Sequence, residues 1–506
     1  MSDIKHARWI EVADGDLGQR SVRGGLVTLL AQGGKFVLTL GSTAVLARLL
    51  APEAFGLVAM VAAVTGFVLV IKDLGLSTAT VQRTAIRHDQ VSALFWINVC
   101  VSLLLALVTA AAAPLVAWFY DEPRLAWITA ALAASFVFGG LTQQHQALLR
   151  RQMRFGPLAL VELGSLATGI AVAVAGAWAG WGVWALVARE VATALANAIF
   201  VFVACGWRPS LPRRTAGLGE LVRFGGNLTG ANLVNYLARN LDNVLIGRFV
   251  GAGALGVYSR AYNLLMQPLV QINQPLSSVA VPALSRIADD PPRLRRVFLQ
   301  LLEAVALVTI PAVGFLVAAA DDVVLLVLGP GWEEAGRIFA VLGLVGLVQP
   351  VSNATSWLLV AQGRGAELLK VGAVNGSLSI LSFVAGLRWG AFGVAASYAI
   401  SGLLVRTPIL FWYTGRVGPV RGGELAGVLF APGLAALAAM AAVHGTRAAL
   451  PLEPLPAVLA CGAAAALAAL ATMALLPGGR RGLGHLRTLA GTLRGASPRA
   501  AGAPSA

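Results

Sequence analysis

The sequence predicts an all-α polytopic membrane protein with about 14 transmembrane helices. Composition, the spacing of apolar stretches and the placement of basic residues all support this fold class. The chain of 506 residues is 58% hydrophobic and 12% charged, with a mean hydropathy of +0.77. An average soluble domain is about 25% charged. This composition excludes a soluble globular enzyme, a coiled coil and a disordered chain.

Apolar stretches of the length that crosses a bilayer recur along the chain. The predicted spans are residues 24–47, 54–71, 91–118, 125–148, 158–177, 181–205, 221–247, 254–283, 297–318, 335–360, 368–386, 391–413, 425–443 and 455–476. No segment between them is long enough to form a domain with its own core. Residues 1–21 are polar with both charge signs, which predicts a cytoplasmic tail and no cleavable signal peptide.

Basic residues alternate from loop to loop. Of the 38 Lys and Arg residues, 27 fall in the two tails and in every second loop, six fall in the other loops, and five lie within spans. Cytoplasmic loops carry an excess of Lys and Arg. The alternation predicts that both termini are cytoplasmic, and it attributes the net charge of +15 to this bias instead of to nucleic-acid binding.

An internal repeat relates two turns that lie six spans apart. VLARLLAPEAFGL (45–57) aligns with LIGRFVGAGALGV (245–257), so that Arg48 matches Arg248 and Gly56 matches Gly256. Both turns then have the same orientation in the membrane. This indicates a parallel repeat about an axis normal to the bilayer, an arrangement known in transporters.

Seven charged residues are singled out as lying within the membrane, where a central charge costs roughly 2.5–3.5 kcal/mol and usually faces a cavity. They are Lys35, Arg189, Glu190, Arg239, Asp242, Arg260 and Arg406. Arg406 is close to a cytoplasmic end and is expected to snorkel to the interface. The excess of positive charge suits an anion, which Arg binds through a planar fork. Asp242 and Glu190, the only acids predicted to lie deep in a span, are candidates for ion coupling.

The seventh and eighth spans carry polar stripes at helical spacing. The stripes are Asn232, Asn235, Arg239 and Asp242, and Arg260, Asn263, Gln267, Gln271 and Gln274. One interpretation is a wet cavity whose amides bind sugar hydroxyls or water. The other is hydrogen bonding between helices together with an Arg239–Asp242 ion pair.

Tryptophans near the ends of the predicted spans are expected to be interfacial anchors. They are Trp118, Trp127, Trp178, Trp181, Trp207, Trp389 and Trp412. The three cysteines and five histidines are scattered singly, with no spacing typical of a disulfide or metal site. No metal and no cofactor are expected.

Four segments carry a family resemblance. They are LARLLAPEAFGLVAMV (46–61), DLGLSTATVQ (73–82), DNVLIGRFVGAGALGVYSRAYNLLMQPLVQINQPLSSVAVPALSRI (242–287) and GPGWEEA (329–335). Their order and spacing resemble the bacterial polysaccharide and lipopolysaccharide flippases (Wzx-like) of the multidrug/oligosaccharidyl-lipid/polysaccharide exporter superfamily. The chain is most similar to the exopolysaccharide, colanic-acid-type branch, over about residues 20–415.

The resemblance implies a fold of two six-helix lobes around a central cavity, related by a pseudo-twofold axis normal to the membrane, with two further C-terminal helices. The implied organisation is an N-lobe over 22–205, a cytoplasmic linker over 206–220, a C-lobe over 221–413, two spans within 425–476 and a basic cytoplasmic tail over 477–506.

The resemblance also implies a function without catalysis. Such proteins move undecaprenyl-diphosphate-linked oligosaccharides from the inner to the outer leaflet of the bacterial cytoplasmic membrane by alternating access. Lys35, Arg189, Arg239 and Arg260 would attract the diphosphate. The glycan would be solvated by Asn232, Asn235, Asn263, Gln267 and Gln271. The implied partners are the lipid-linked oligosaccharide, membrane lipids, and the polysaccharide polymerase and export machinery.

Two alternatives remain open. A same-fold exporter would carry drugs or the peptidoglycan lipid precursor. Because the first span has no Asp or Glu and contains Lys35, an anionic cargo is favoured over a cationic drug. An integral-membrane glycan polymerase or ligase would need a large outer loop that pairs a nucleophile with a base, and the outer loops are short.

Overall fold

The computed structural model describes residues 17–72, 76–83, 86–211, 240–482 and 484. Within these ranges the secondary-structure elements are helices, and the chain forms two compact units. Unit 1 runs to Arg260 and also includes Val327–Trp332, whereas unit 2 comprises Ala261–Leu326 and the chain from Glu333 onward.

The described part of unit 1 contains nine helices and the start of a tenth. They are α1 (Leu17–Leu49), α2 (Pro52–Lys72), α3 (Leu76–Gln82), α4 (His88–Ala111), α5 (Ala113–Tyr120), α6 (Arg124–Arg151), α7 (Phe155–Trp178), α8 (Val183–Cys205), α9 (240–249) and α10 (Ala252–Ser285). Left-handed residues terminate two of them: Asp121 follows α5 with φ 57°, and Gly206 follows α8 with φ 66°.

The helices of unit 1 pack through small residues. Helix α8 packs against α6 and α7, and α1 packs against α7. A Cβ at Gly169 of α7 would meet the carbonyl of Arg189 and the Thr193 hydroxyl of α8. The missing side chain therefore allows the close approach of two backbones that apolar membrane helices require.

Trp207 is not an interfacial anchor, and that prediction is wrong. Its side chain is 1% exposed and lies in an apolar cluster that joins α4, α6 and α8. Its indole N–H donates to His88, and its carbonyl lies 3.2 Å from His145 Nε2. His88 and His145, which are far apart in the sequence, thus both contact Trp207. The other predicted anchors are at least half exposed, as an interfacial position requires: Trp118, Trp127, Trp178, Trp181, Trp389 and Trp412.

Unit 2 continues α10, and its described part adds ten α-helices up to Leu475. They are α11 (Pro291–Ala318), α12 (Ala320–Val327, whose last residue belongs to unit 1), α13 (Glu333–Gly346), α14 (Gln349–Ala361), α15 (Gly365–Gly386), α16 (Gly390–Ser401), α17 (Thr407–Val417), α18 (Gly422–Val428), α19 (Phe430–Ala449) and α20 (Pro454–Leu475). Helix α11 packs on α19, and α19 on α20. Asp290 caps α11 by accepting from the backbone N–H of Arg293 at 3.1 Å.

Arg406 does not snorkel toward the cytoplasmic end, and that prediction is wrong. The five-residue segment Gly402–Arg406 between α16 and α17 is π-helical. The Arg406 guanidinium lies 3.9 Å from the centroid of the Tyr398 ring. It donates to the carbonyl of Tyr398 and to the hydroxyl of Ser379 on α15. These contacts hold the guanidinium within unit 2.

Among the described residues, nine helices are long and apolar enough to cross a membrane, or ten if the bent pair α13–α14 is one span. This confirms an all-α polytopic fold. The helical stretch Gly365–Val417 covers two predicted spans, and the apolar part of α2 is the shorter segment Pro52–Val68. Most of the predicted seventh span lies outside the described residues, so the count of fourteen stays a prediction.

Candidate functional site

A cluster of charge lies inside unit 1, where α8 and α10 place three of the predicted site residues. The Arg260 guanidinium lies over the ring of Phe55, 4.9 Å from its centroid. It is close enough to Arg189 and Glu190 for electrostatic interaction, repulsive with the first and attractive with the second. The structure therefore brings together two arginines that are 71 positions apart in the sequence.

The two arginines have N–H donors that are available to a ligand. Among the described residues, the buried Nε atoms of Arg189 and Arg260 have no hydrogen-bond partner. Glu190 lies 4.0 Å from Arg189, and its own side chain is 51% exposed. One loosely placed carboxylate does not neutralise two guanidinium groups, so the cluster carries net positive charge.

Asp242 connects α9 and α10. Its side chain is 4% exposed. One oxygen accepts from the Tyr258 hydroxyl at 2.9 Å, and the other from the backbone N–H of Asn243 at 2.8 Å. The expected ion pair of Asp242 with Arg239 involves a residue outside the described ranges, as do the predicted ligands Asn232 and Asn235.

Lys35 makes a contact that the sequence does not reveal. Its Nζ lies 3.0 Å from Glu162 Oε2 on α7. The expectation that Glu190 and Asp242 are the only deep acids is wrong, because Glu162 is 7 positions into a helix of 24 residues. Glu162 lies close to the start of the fifth predicted span, which is why composition alone hides its role as a counter-ion.

The remaining predicted ligands continue along α10 into unit 2. Asn263 is exposed, and Gln267 and Gln271 are partly buried. They follow Arg260 at intervals of three and four residues, so they share one face of the helix.

The repeat-related turns at 50–52 and 250–252 contact each other within unit 1. A Cβ at Gly56 would overlap the carbonyl of Ala252, and a Cβ at Gly256 would overlap the carbonyl of Pro52. The two contacts are equivalent, because Gly56 and Pro52 correspond to Gly256 and Ala252 at an offset of 200 residues. The internal repeat predicted from the sequence is thus matched by a reciprocal contact between its two copies.

The segment Val327–Trp332 packs onto the first of these turns. Trp332 is 2% exposed, donates from its indole N–H to the carbonyl of Ala47 at 3.0 Å, and meets Phe55 edge-on at 5.5 Å. Arg48 donates to the carbonyl of Val327 at 2.9 Å. Phe55 therefore has Trp332 and Arg260 as its neighbours, which places the charge cluster next to the paired turns.

Comparison with known proteins identifies the family. A family model described as "Polysaccharide biosynthesis protein" matches residues 45–337, more than half of the chain. The chain is 28% identical over 387 residues to the lipopolysaccharide biosynthesis protein WzxC of Escherichia coli K12, covering 75% of this chain and 77% of that protein. It is 30% identical over 302 residues to the teichuronic acid biosynthesis protein TuaB of Bacillus subtilis, covering 59% and 62%.

Solved structures share the fold. The lipid II flippase MurJ in an inward closed conformation aligns with a TM-score of 0.68 at 13% identity, covering 89% of this chain and 98% of that one. An inward-facing multidrug resistance transporter of the MATE family aligns with a TM-score of 0.61 at 13% identity, covering 77% and 95%. With the matched model spanning both repeat turns and the charge cluster, the chain belongs to the family of polysaccharide biosynthesis proteins that this model defines.

Proposed function

We propose that this protein is a flippase that moves undecaprenyl-diphosphate-linked oligosaccharides from the inner to the outer leaflet of the bacterial cytoplasmic membrane. The observation that carries the proposal is the positive cluster of Arg189 and Arg260 inside a membrane fold. Two partly buried guanidinium groups whose Nε atoms have no partner among the described residues are costly in a bilayer unless an anion or water meets them. A lipid-linked diphosphate supplies that anion.

The chemistry of the cluster suits a diphosphate. An Arg guanidinium binds phosphate through parallel N–H donors, and these charge-assisted bonds are about twice as strong as neutral ones. The Phe55 ring holds the Arg260 guanidinium in place before cargo arrives. The partly buried amides of Gln267 and Gln271, with the exposed Asn263, would then solvate the glycan. The predicted ligands Asn232, Asn235 and Arg239 would complete this surface.

The paired turns supply a means of alternating access. We take the end of unit 1 that carries Gly56, Gly256 and Trp332 as the outer side, as the positive-inside rule predicts. The reciprocal contact would close the outer side while cargo enters from the cytoplasm. Transporters built from repeats alternate by moving one repeat against the other. Asp242 and Glu190 remain the proposed ion-coupling residues, and no catalytic step is required.

The names of the relatives agree with this cargo class. WzxC and TuaB are named for the biosynthesis of lipopolysaccharide and teichuronic acid, and the MurJ structure is titled as a lipid II flippase. All three names concern cell-surface polymers or their lipid-linked precursors. We propose that the polysaccharide polymerase that uses the translocated unit acts next to this protein in the same membrane.

The proposal is tested in cells that lack the protein. Lipid-linked oligosaccharides are extracted from intact spheroplasts before and after treatment with a membrane-impermeant glycan-modifying enzyme. We expect protected, inner-leaflet oligosaccharide to accumulate and surface polymer to disappear. Unchanged lipid-linked sugars together with unchanged polymer would refute this cargo. Drug sensitivity or inviability of the same strain would instead indicate a drug exporter or a carrier of the peptidoglycan precursor.

A further inference from the structure

We propose that helices α1, α6, α7 and α8 of unit 1 hold a second subsite, one that binds the hydroxyl groups of the cargo's sugar. The subsite consists of Lys35, Glu162, Asn197 and Gln146. The inference rests on the proposed flippase function and adds to it the place where the glycan is recognised.

The charged half of the subsite is the Lys35–Glu162 pair. The two side chains meet at 3.0 Å and remain 41% and 26% exposed, respectively. An ion pair that only joined two helices would be sealed between them, because charges left accessible inside a membrane segment usually face a wet cavity. The exposure of this pair therefore indicates contact with water or with a polar ligand.

The neutral half of the subsite is a chain of amides. Gln146 on α6 donates from Nε2 to Asn197 Oδ1 on α8 at 2.9 Å. Asn197 Nδ2 donates to the Ser165 hydroxyl on α7 at 3.4 Å, and that hydroxyl donates to the carbonyl of Glu162 at 3.1 Å. Each amide has two N–H donors and a carbonyl oxygen. These bonds leave one N–H on each amide and the carbonyl oxygen of Gln146 for a ligand.

The subsite lies away from the lipid-facing surface of the helices. On α8, the exposed apolar side chains of Leu195 and Ile199 lie on the side of the helix opposite Asn197. Asn197 follows Arg189 by eight residues, so the two share a face of α8 about 12 Å apart along its axis. On α7, Leu160 is 73% exposed and lies two positions before Glu162, which turns the carboxylate inward.

The charge balance of the subsite selects sugar over phosphate. Lys35 and Glu162 neutralise each other, and Gln146 and Asn197 are neutral, so the set attracts no second anion. A carboxylate, an ammonium group and two amides together accept from and donate to hydroxyl groups. The arginine cluster, about 12 Å along the same helix face, carries the net positive charge that a diphosphate needs. The separation suits a short oligosaccharide joined to a diphosphate held at Arg189 and Arg260.

The experiment compares two probes on the full-length protein in nanodiscs. One probe is undecaprenyl diphosphate without sugar, and the other is the lipid-linked oligosaccharide extracted from cells lacking this protein. We expect Asn197→Ala and Gln146→Ala each to weaken binding of the glycosylated probe by about tenfold, the loss of one good hydrogen bond. Binding of the sugar-free probe should stay unchanged. Arg260→Ala should weaken both.

Thr168→Val on α7 is the matched control, because within the described part of the chain the Thr168 hydroxyl bonds only to the carbonyl of Gly164 in its own helix. It should bind both probes like the wild type, and thermal unfolding confirms that each variant is folded. Equal losses for the two probes, or no loss for either, would overturn the subsite while leaving the flippase proposal intact. A wild-type protein that binds neither probe would overturn both.

Discussion

Gly56 and Gly256 each lie against the backbone of the other's turn, and the two residues are equivalent in the two copies of the repeat. A Cβ at Gly56 would overlap the Ala252 carbonyl, and one at Gly256 would overlap the Pro52 carbonyl. A side chain at either position collides with backbone, which a change of rotamer cannot relieve. Contact between the two turns therefore depends on both positions remaining glycine.

Gly56→Ala and Gly256→Ala are each expected to separate the paired turns and reduce surface polymer at least about tenfold, since 1.4 kcal/mol of lost contact already gives that factor. Gly253→Ala, in the same hairpin, is the control because nothing lies within 4 Å of its added Cβ. Polymer output and membrane protein level are measured together. Normal output from both glycine variants would contradict a role for this contact in transport.

Trp332 is expected to contribute most of the stability of the segment Val327–Trp332. Trp332→Ala should lower the free energy of unfolding by about 3–5 kcal/mol, as for other buried aromatic residues. Trp332→Phe keeps a ring but loses the bond to the Ala47 carbonyl and should cost about 1 kcal/mol. Thermal unfolding in detergent measures both. Trp389→Ala, at an exposed position, is the control. An equal loss in the free energy of unfolding for Trp389→Ala would refute the role assigned to Trp332.

Glu122 is expected to make stability depend on pH at the predicted outer surface. Arg124 donates to both its oxygens at 2.8 Å, and this bidentate contact lowers the pKa of Glu122 below its ordinary value of 4.5. A carboxyl group whose pKa is lowered in the folded state stabilises the fold above its unfolded pKa, and the effect is lost as the pH falls.

Glu122→Gln should therefore be less stable than the wild type at pH 7 and unfold at a lower temperature. The loss in the free energy of unfolding should be no more than about 1 kcal/mol. The difference should shrink as the pH falls below about 4.5, where the wild-type group begins to protonate. Glu453→Gln, which alters an exposed carboxylate with no ion pair among the described residues, should show neither effect. A pH-independent difference for Glu122→Gln would contradict the ion-pair interpretation.

Arg406→Lys is expected to destabilise unit 2 although it preserves the charge. A lysine donates from a single nitrogen, whereas the planar guanidinium reaches the Ser379 hydroxyl and the Tyr398 carbonyl from two separate nitrogens. The loss should be about 1–2 kcal/mol in unfolding experiments. Arg416→Lys, whose guanidinium lies over Trp412 at 5.6 Å, should have a smaller effect. Equal losses of stability for Arg406→Lys and Arg416→Lys would refute a special role for the two hydrogen bonds of Arg406.

The sequence predicts those features that show as a periodic pattern or as a bias in composition. Apolar length gives the membrane helices, and the match of Arg48 with Arg248 gives the repeat. The pairing of Lys35 with Glu162 leaves no such trace, because 127 positions separate the partners and only the packing of α1 on α7 joins them. Trp207 lies just past the end of α8, where a tryptophan usually anchors at the interface, and only the tertiary structure shows that α4 and α6 cover it.

The central claim is that the arginine cluster binds the diphosphate of a lipid-linked oligosaccharide during transport. Its most direct test places Arg260→Ala, and separately Arg248→Ala, in cells lacking the wild-type protein. Arg248 is the matched control because it is exposed, on α9, and lies outside the cluster. Inner-leaflet lipid-linked oligosaccharide is then measured in intact spheroplasts at equal protein levels. We predict accumulation with Arg260→Ala and normal levels with Arg248→Ala. Normal levels with both variants would contradict the account.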